Sequence, residues 1–171
     1  MAGSDPLTMY ADDDDLKVYR ADILDFGVTS WADQHKKAFT EINRALDVGW
    51  YRQNAAVRGL YTGGYIGGTL ADRIQNYGSN MTVYPFDAEL LLNAETQLRK
   101  LACFKCLELA YALLTKGDDS FSKLRDHYKA EYEKEMVEVM AAGIDYDWDE
   151  SGIVDDTEKA TVKEPRRLVR C

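Results

Sequence analysis

The chain has 171 residues, of which 46% are hydrophobic and 30% charged, a composition that fits one globular domain and argues against a disordered chain. Its formal net charge of -9 argues against a nucleic-acid-binding protein, because neutralising phosphates requires surplus lysine and arginine on one face. It has neither an apolar run that approaches the roughly 18 residues of a membrane span nor an N-terminal signal-peptide pattern, so we expect a soluble protein made in a cytoplasm.

Two helices are predicted in the first fifty residues. Four aspartates, residues 12–15, complement the positive end of a helix dipole and predict a short helix near residues 12–25. They are a poor metal site, because neighbours in sequence point in different directions on a helix. Ser30 and Asp33 have the form of an N-cap, and apolar residues at helical spacing predict a second helix over 30–47. His35 lies beside that apolar stripe and is interpreted as a structural residue.

Residues 48–86 are rich in glycine and tyrosine and are predicted to form a long loop. The glycine-rich stretch 63–69 lacks both the Gly-Lys-Ser/Thr ending of a P-loop and the spacing of a dinucleotide fingerprint, so we do not predict nucleotide binding. Loops of this length are generally functional or mobile, and tyrosine is a frequent contact residue at protein interfaces. An interface loop and an irregular packed loop both remain open.

Two longer helices are predicted in the second half. The first runs from residue 86 to a stop at Gly117, and the second runs from a cap at 118–120 to a stop at Gly143. The short connection predicts that they are antiparallel neighbours. Cys103 and Cys106 form a C-x-x-C inside the first of these helices. We interpret them as packing residues, because no second cysteine pair and no preceding strand supports a zinc or redox site.

The predicted fold is therefore mainly α. It is a small antiparallel helical bundle with a long Gly/Tyr-rich loop, a short C-terminal hairpin-like turn and an extended C-terminal tail. We divide it into a helical body over residues 1–143, which includes the loop 48–86, and an acidic turn with a basic tail over residues 144–171. No combination of nucleophile, base and orienting group is evident, so we do not expect an enzyme.

One local motif is specific as a string of residues. Residues 147–158 match a calcium-binding loop, with oxygen-bearing side chains at the first, third, fifth, ninth and twelfth positions and Gly152 at the sixth. The candidate calcium ligands are Asp147, Asp149, Ser151, Asp155 and Glu158. The alternative is an Asx-type turn or short hairpin in which Asp and Ser bond their own backbone. No cofactor is required by the sequence, and a structural calcium ion is the one candidate.

Several stretches together resemble one family. They are YADDDDLK at 10–17, LRKLACFKCLELAY at 98–111, YKAEYEKE at 128–135 followed by GIDYD at 143–147, and RRLVR at 166–170. Their order and character are similar to those of the head-tail connector (neck adaptor) proteins of tailed bacteriophages. The Gly/Tyr-rich loop departs from the compact members of that family.

The resemblance implies a structural virion protein that forms a homo-oligomeric ring, a dodecamer, docked beneath the portal protein. Such a ring continues the DNA channel to a downstream neck or tail-completion protein, and DNA passes through without specific binding. The location implied is the virion neck, with synthesis in the bacterial host cytoplasm and no membrane partner. Arg166, Arg167 and Arg170 are the candidate tail contacts. The alternatives are a calcium-binding regulatory or buffer protein that uses loop 147–158, and a redox or zinc enzyme that uses the two helical cysteines.

Overall fold

The computed structural model describes residues 9–57, 61–62, 82–83, 86–115 and 119–154, and it is mainly helical, as the sequence predicts. In chain order the elements are α1 Asp13–Tyr19, α2 Ala32–Leu46, a π-helical turn Asp47–Tyr51, α3 Arg52–Val57, β1 Tyr61–Thr62, β2 Thr82–Val83, a 3-10 turn Ala88–Leu90, α4 Ala94–Gln97, α5 Arg99–Leu114 and α6 Asp119–Ala142. The two-residue strands are antiparallel, with Tyr61 opposite Val83.

The helix α5 is the centre of the bundle, and α1, α2 and α6 pack around it. Its buried residues lie on more than one face, as expected for a helix surrounded by others. They are Leu101, Ala102, Cys103, Phe104, Cys106, Leu107, Ala110 and Tyr111.

The helices α5 and α6 are antiparallel, which confirms the prediction from their short connection. Three contacts establish the direction. Tyr111 stacks on Phe121 with ring centroids 6.0 Å apart, Phe104 lies 6.3 Å from Tyr128, and a salt bridge joins Lys100 to Glu135. Residues near the end of α5 thus contact residues near the start of α6, and residues near the start of α5 contact residues farther along α6. Gly143 follows α6 with a φ of 92°, a conformation that glycine adopts without strain, and this confirms the predicted stop.

The first helix is shorter than the predicted 12–25, because α1 ends at Tyr19. The chain then turns so that the side chain of Ile23 is fully buried and its carbonyl accepts a hydrogen bond from Trp31 Nε1 at 3.2 Å. Turns over residues 21–26 and this contact with Trp31 stand in place of the last predicted turns of the helix.

The prediction that a loop begins at residue 48 is wrong, because helical structure continues from α2 through the π-helical turn and α3 to Val57. The wider turn leaves the consecutive residues Trp50 and Tyr51 both buried. Gly49 lies against the side chain of Met140 on α6: a Cβ added there would lie 3.1 Å from Met140 Cε, so the end of that side chain would have to shift by a few tenths of an ångström.

The single helix predicted from residue 86 is also wrong at its start. The segment forms a 3-10 turn, an extended residue at Leu91, the short helix α4 and then α5. Leu91 forms an antiparallel bridge with Tyr146, and Asn93 adopts a left-handed backbone with a φ of 61°. The interruption thus follows from a pairing with residues more than fifty positions later. The predicted stop at Gly117 and the first residue of the predicted cap 118–120 lie outside the described residues, and Asp119 and Ser120 lie within α6.

Candidate functional site

Five aromatic side chains, which we call the aromatic cluster, meet beside the C-terminal end of the π-helical turn. They are Trp50, Tyr51, Phe86, Tyr146 and Trp148. Tyr146 is central, with ring centroids 4.8 Å from Trp148, 5.4 Å from Tyr51 and 5.7 Å from Phe86. Tyr51 and Trp148 stack at 5.2 Å with an interplanar angle of 7°. Offset and tilted ring pairs of this kind stabilise a fold beyond the area that they bury.

Backbone hydrogen bonds hold the segment that supplies Tyr146. The N–H of Leu92 donates to the carbonyl of Asp145, and the N–H of Asp147 donates to the carbonyl of Leu90, both at 2.9 Å. The Tyr146 hydroxyl accepts the N–H of Asp87 at 3.3 Å. Tyr146 is 2% exposed. The start of the predicted second unit, residues 144–147, therefore packs in the core of the helical body.

All five residues lie within the two segments that the sequence singles out, which we call the arms: the Gly/Tyr-rich loop 48–86 and the C-terminal unit 144–171. Trp50, Tyr51 and Phe86 come from the first arm, and Tyr146 and Trp148 come from the second. The strands β1 and β2 pair the two ends of the intervening stretch 63–81. The described parts of the two arms thus meet in one aromatic cluster. Most of the Gly/Tyr-rich stretch and all of the predicted tail contacts (Arg166, Arg167 and Arg170) lie outside the described residues.

The first half of the calcium-loop motif forms a tight turn. Asp147 is 3% exposed, and its two carboxylate oxygens accept the N–H of Ser151 at 3.0 Å and of Gly152 at 2.6 Å. Asp149 accepts the same Ser151 N–H at 3.1 Å, and the Ser151 hydroxyl donates to the carbonyl of Ile153 at 3.0 Å. Gly152 has a φ of 80°, so the sixth position does make the turn that the motif requires. These bonds are those of an Asx-type turn. Such a turn is compatible both with a calcium-binding loop and with a turn that binds no metal.

The surroundings of this loop differ from a full calcium-binding helix–loop–helix unit. The helix α6 ends at Ala142, and the extended bridge at Tyr146 separates it from the first motif residue, Asp147. The ninth and twelfth ligands, Asp155 and Glu158, lie outside the described residues. Calcium binding stays a prediction, and the described turn would make an ion there a local structural clamp.

The four aspartates at the chain's start have separate structural tasks. Asp12 caps α1 by accepting the N–H groups of Asp14 at 2.9 Å and Asp15 at 3.0 Å, and Asp15 accepts the Asp12 N–H in return. This reciprocal pair is a capping box. Asp14 pairs with Lys17 at 2.6 Å. The helix start predicted at this acidic run is thereby confirmed, and the cap by Asp12 is a detail that the structure adds.

Cys103 and Cys106 are free thiols buried in α5, which confirms their interpretation as packing residues. Burial raises the pKa of the Cys103 thiol to about 12 and raises that of Cys106 as well. Such thiols are protonated at neutral pH and are poor nucleophiles. Within the described ranges, no three His, Cys, Asp or Glu side chains are grouped as a metal site would require.

None of the described helices has the length and apolar character that crossing a membrane demands. Comparisons with protein-family models, with curated protein sequences and with solved structures find no match to this chain. The connector resemblance therefore rests on the stretches of sequence that carry it. The sequence analysis did not predict the aromatic cluster. The feature that could have indicated it is the pair Trp50 and Tyr51, which follows the apolar stripe of α2.

Proposed function

We propose that this protein is a non-enzymatic virion protein, a subunit of the head-tail connector ring in the neck of a tailed bacteriophage. The observation that supports it best is the aromatic cluster, in which Tyr51 and Phe86 of one arm meet Tyr146 and Trp148 of the other. A helical body on which both segments share one anchor suits a subunit that contacts several neighbours at once.

A ring also suits the way in which the chain is built. In a closed ring one surface of each subunit meets a different surface of the next, so contacts made by the arms would strengthen an interface without requiring a large flat face. The net charge of -9 fits a wall around passing DNA, because like charge keeps the polyanion from adhering. The dodecameric ring, the portal and the downstream neck or tail-completion protein are the partners in this proposal.

The basic tail is the proposed portal contact. Residues 159–171 carry five lysines and arginines against one glutamate, within a chain that is otherwise strongly acidic. Arginine forms bidentate hydrogen bonds with carboxylates, so Arg166, Arg167 and Arg170 are the residues we assign to an acidic surface of the portal.

Mixing the purified protein with purified portal tests this proposal. We expect a ring bound to the portal, seen by analytical ultracentrifugation and electron microscopy, and we expect truncation after Glu158 to weaken it. The triple variant R166A/R167A/R170A separates the arginines from the rest of the tail, and Lys134→Ala on the exposed face of α6 is the matched control for loss of positive charge. A monodisperse monomer at every concentration, with or without portal and unaffected by truncation, would refute the proposal.

A calcium-binding regulatory or buffer protein is the second candidate, favoured by the turn in which Asp147 holds the backbone of Ser151 and Gly152. Isothermal titration with calcium, paired with circular dichroism, separates the two functions. Tight binding with a large helical rearrangement would favour the regulator. Absent binding, or binding that only raises the unfolding temperature, leaves the connector proposal intact, and E158Q shows whether the loop holds the ion.

A further inference from the structure

A buried histidine joins α1 to the start of α2. His35 lies in the first turn of α2 and is 3% exposed, with its Nε2 3.2 Å from Oδ1 of Asp13 on α1. The same carboxylate accepts the backbone N–H of Trp31 at 3.1 Å. Asp13 thus holds both the ring of His35 and the N-terminal backbone of α2. This contact is independent of the arms on which the proposed function rests.

The hydrogen bonds define which form of the imidazole fits this site. Asp13 is an acceptor, so the neutral ring carries its proton on Nε2. Nδ1 is buried and has no hydrogen-bond partner among the described residues. Protonation places an N–H on Nδ1 where the described surroundings offer no acceptor, and a buried donor without a partner destabilises the fold.

The carboxylates near His35 favour its protonated form, but their influence on its pKa is smaller than that of burial. Burial lowers the pKa of His35, and the nearby carboxylates of Asp13, Asp12 and Asp15 raise it, with burial the larger influence. From α5, Arg99 is drawn to Asp15 at 3.7 Å, and the thiol of Cys106 is neutral because burial raises its pKa. The docked junction therefore favours the neutral imidazole.

We propose that protonation of His35 loosens the junction between α1 and α2, which makes the docking of the N-terminal helix sensitive to mildly acidic pH. The direction of the pH dependence follows from linkage. A histidine whose pKa is lower in the docked state stabilises docking at pH values above the ordinary histidine pKa of about 6.5. That stabilisation is lost as the pH falls below this value and through the pKa of His35 in the folded protein. Opening would expose Leu16, which is fully buried against the bundle.

Nuclear magnetic resonance of the full chain tests this directly, because His35 and His127 are its only two histidines. The variant H127Q assigns the imidazole signals, and a titration in urea supplies the unfolded reference. We expect His35 to titrate at a lower pH in the folded protein than in urea. Each unit of separation permits up to a tenfold increase in opening once the ring is protonated.

Hydrogen exchange measures the opening itself. The amides of Leu16 and Arg20, which donate to carbonyls of α1 and its cap, are the probes, and the amide of Met136 in the middle of α6 is the control. The comparison runs from about pH 7.5 to about pH 5, the range in which histidine titrates. After correction for intrinsic exchange, protection of the two probe amides should fall by the factor calculated from the pKa values of His35 in the folded protein and in urea. The Met136 amide should not share this fall.

Two results would overturn the proposal. One is a folded His35 that titrates at or above its value in urea, and the other is a loss of protection equal in Leu16, Arg20 and Met136, which would mean global unfolding. The variant H35Q keeps an N–H donor for Asp13 without a titrating ring and should make the corrected protection independent of pH. Should H35Q not fold, the titration and exchange of the H127Q protein still decide the outcome.

Discussion

Replacing Tyr146 with alanine removes the centre of the aromatic cluster. Its ring lies 4.8 to 5.8 Å from four other aromatic rings and is 2% exposed. Truncating a buried aromatic residue costs about 3–5 kcal/mol, a large share of the roughly 5–15 kcal/mol that stabilises a domain. With a urea dependence of about 1–3 kcal/mol per molar, the unfolding midpoint should fall by an amount on the order of 1–5 M.

Urea unfolding followed by circular dichroism at the helix band measures this loss. Tyr146→Phe is the matched control, because it keeps the ring and removes only the hydroxyl that accepts the Asp87 N–H, so it should cost about 1 kcal/mol. Ile153→Ala, at a side chain that is 71% exposed, should change stability by less than about 0.5 kcal/mol. An alanine variant at Tyr146 no less stable than the phenylalanine variant would refute the anchoring role of the cluster.

Three further outcomes are expected. Cys103 and Cys106 should react with a thiol reagent at about pH 8 only after denaturation, because burial raises both pKa values; fast reaction of the native protein would contradict their packing. Asp12→Ala should lower the free energy of unfolding by about 1 kcal/mol through loss of the α1 cap, as thermal unfolding would show. Lys105→Ala should lower the free energy of unfolding in urea by about 1–3 kcal/mol, because the Lys105 side chain is 12% exposed and bonds two carboxylates. Lys134→Ala, which removes one partner of an exposed ion pair, should lower it by less than about 1 kcal/mol.

Local chemistry made some elements predictable. The start of α1 at its run of aspartates, the stop at Gly143 and the apolar periodicity between them depend on residues within one or two helical turns, so sequence spacing is sufficient to find them. The cap predicted at Ser30 is wrong, because α2 begins after Trp31 and has no side-chain cap there. The two thiols of α5 were interpretable for the same reason, because their position inside a helical pattern predicts packing.

The errors lie where distant residues compete with local preference. The helix predicted from residue 86 is interrupted where Leu91 pairs with Tyr146, and the helix predicted to residue 25 ends at Tyr19, before the buried Ile23 that bonds Trp31. Helical structure persists beyond residue 48 because Trp50 and Tyr51 find buried ring partners in segments far along the chain. Periodicity within a short window cannot register such contacts.

The same division applies to the site. The sequence by itself determined a mainly helical chain, the acidic start of α1, the stop at Gly143 and the tight turn at Gly152, because each depends on neighbouring residues. Only the tertiary structure decided that the described parts of both arms meet in one aromatic cluster and that His35 shares Asp13 with Trp31. Those arrangements bring together side chains from separate segments, and only burial in a common core selects the partners.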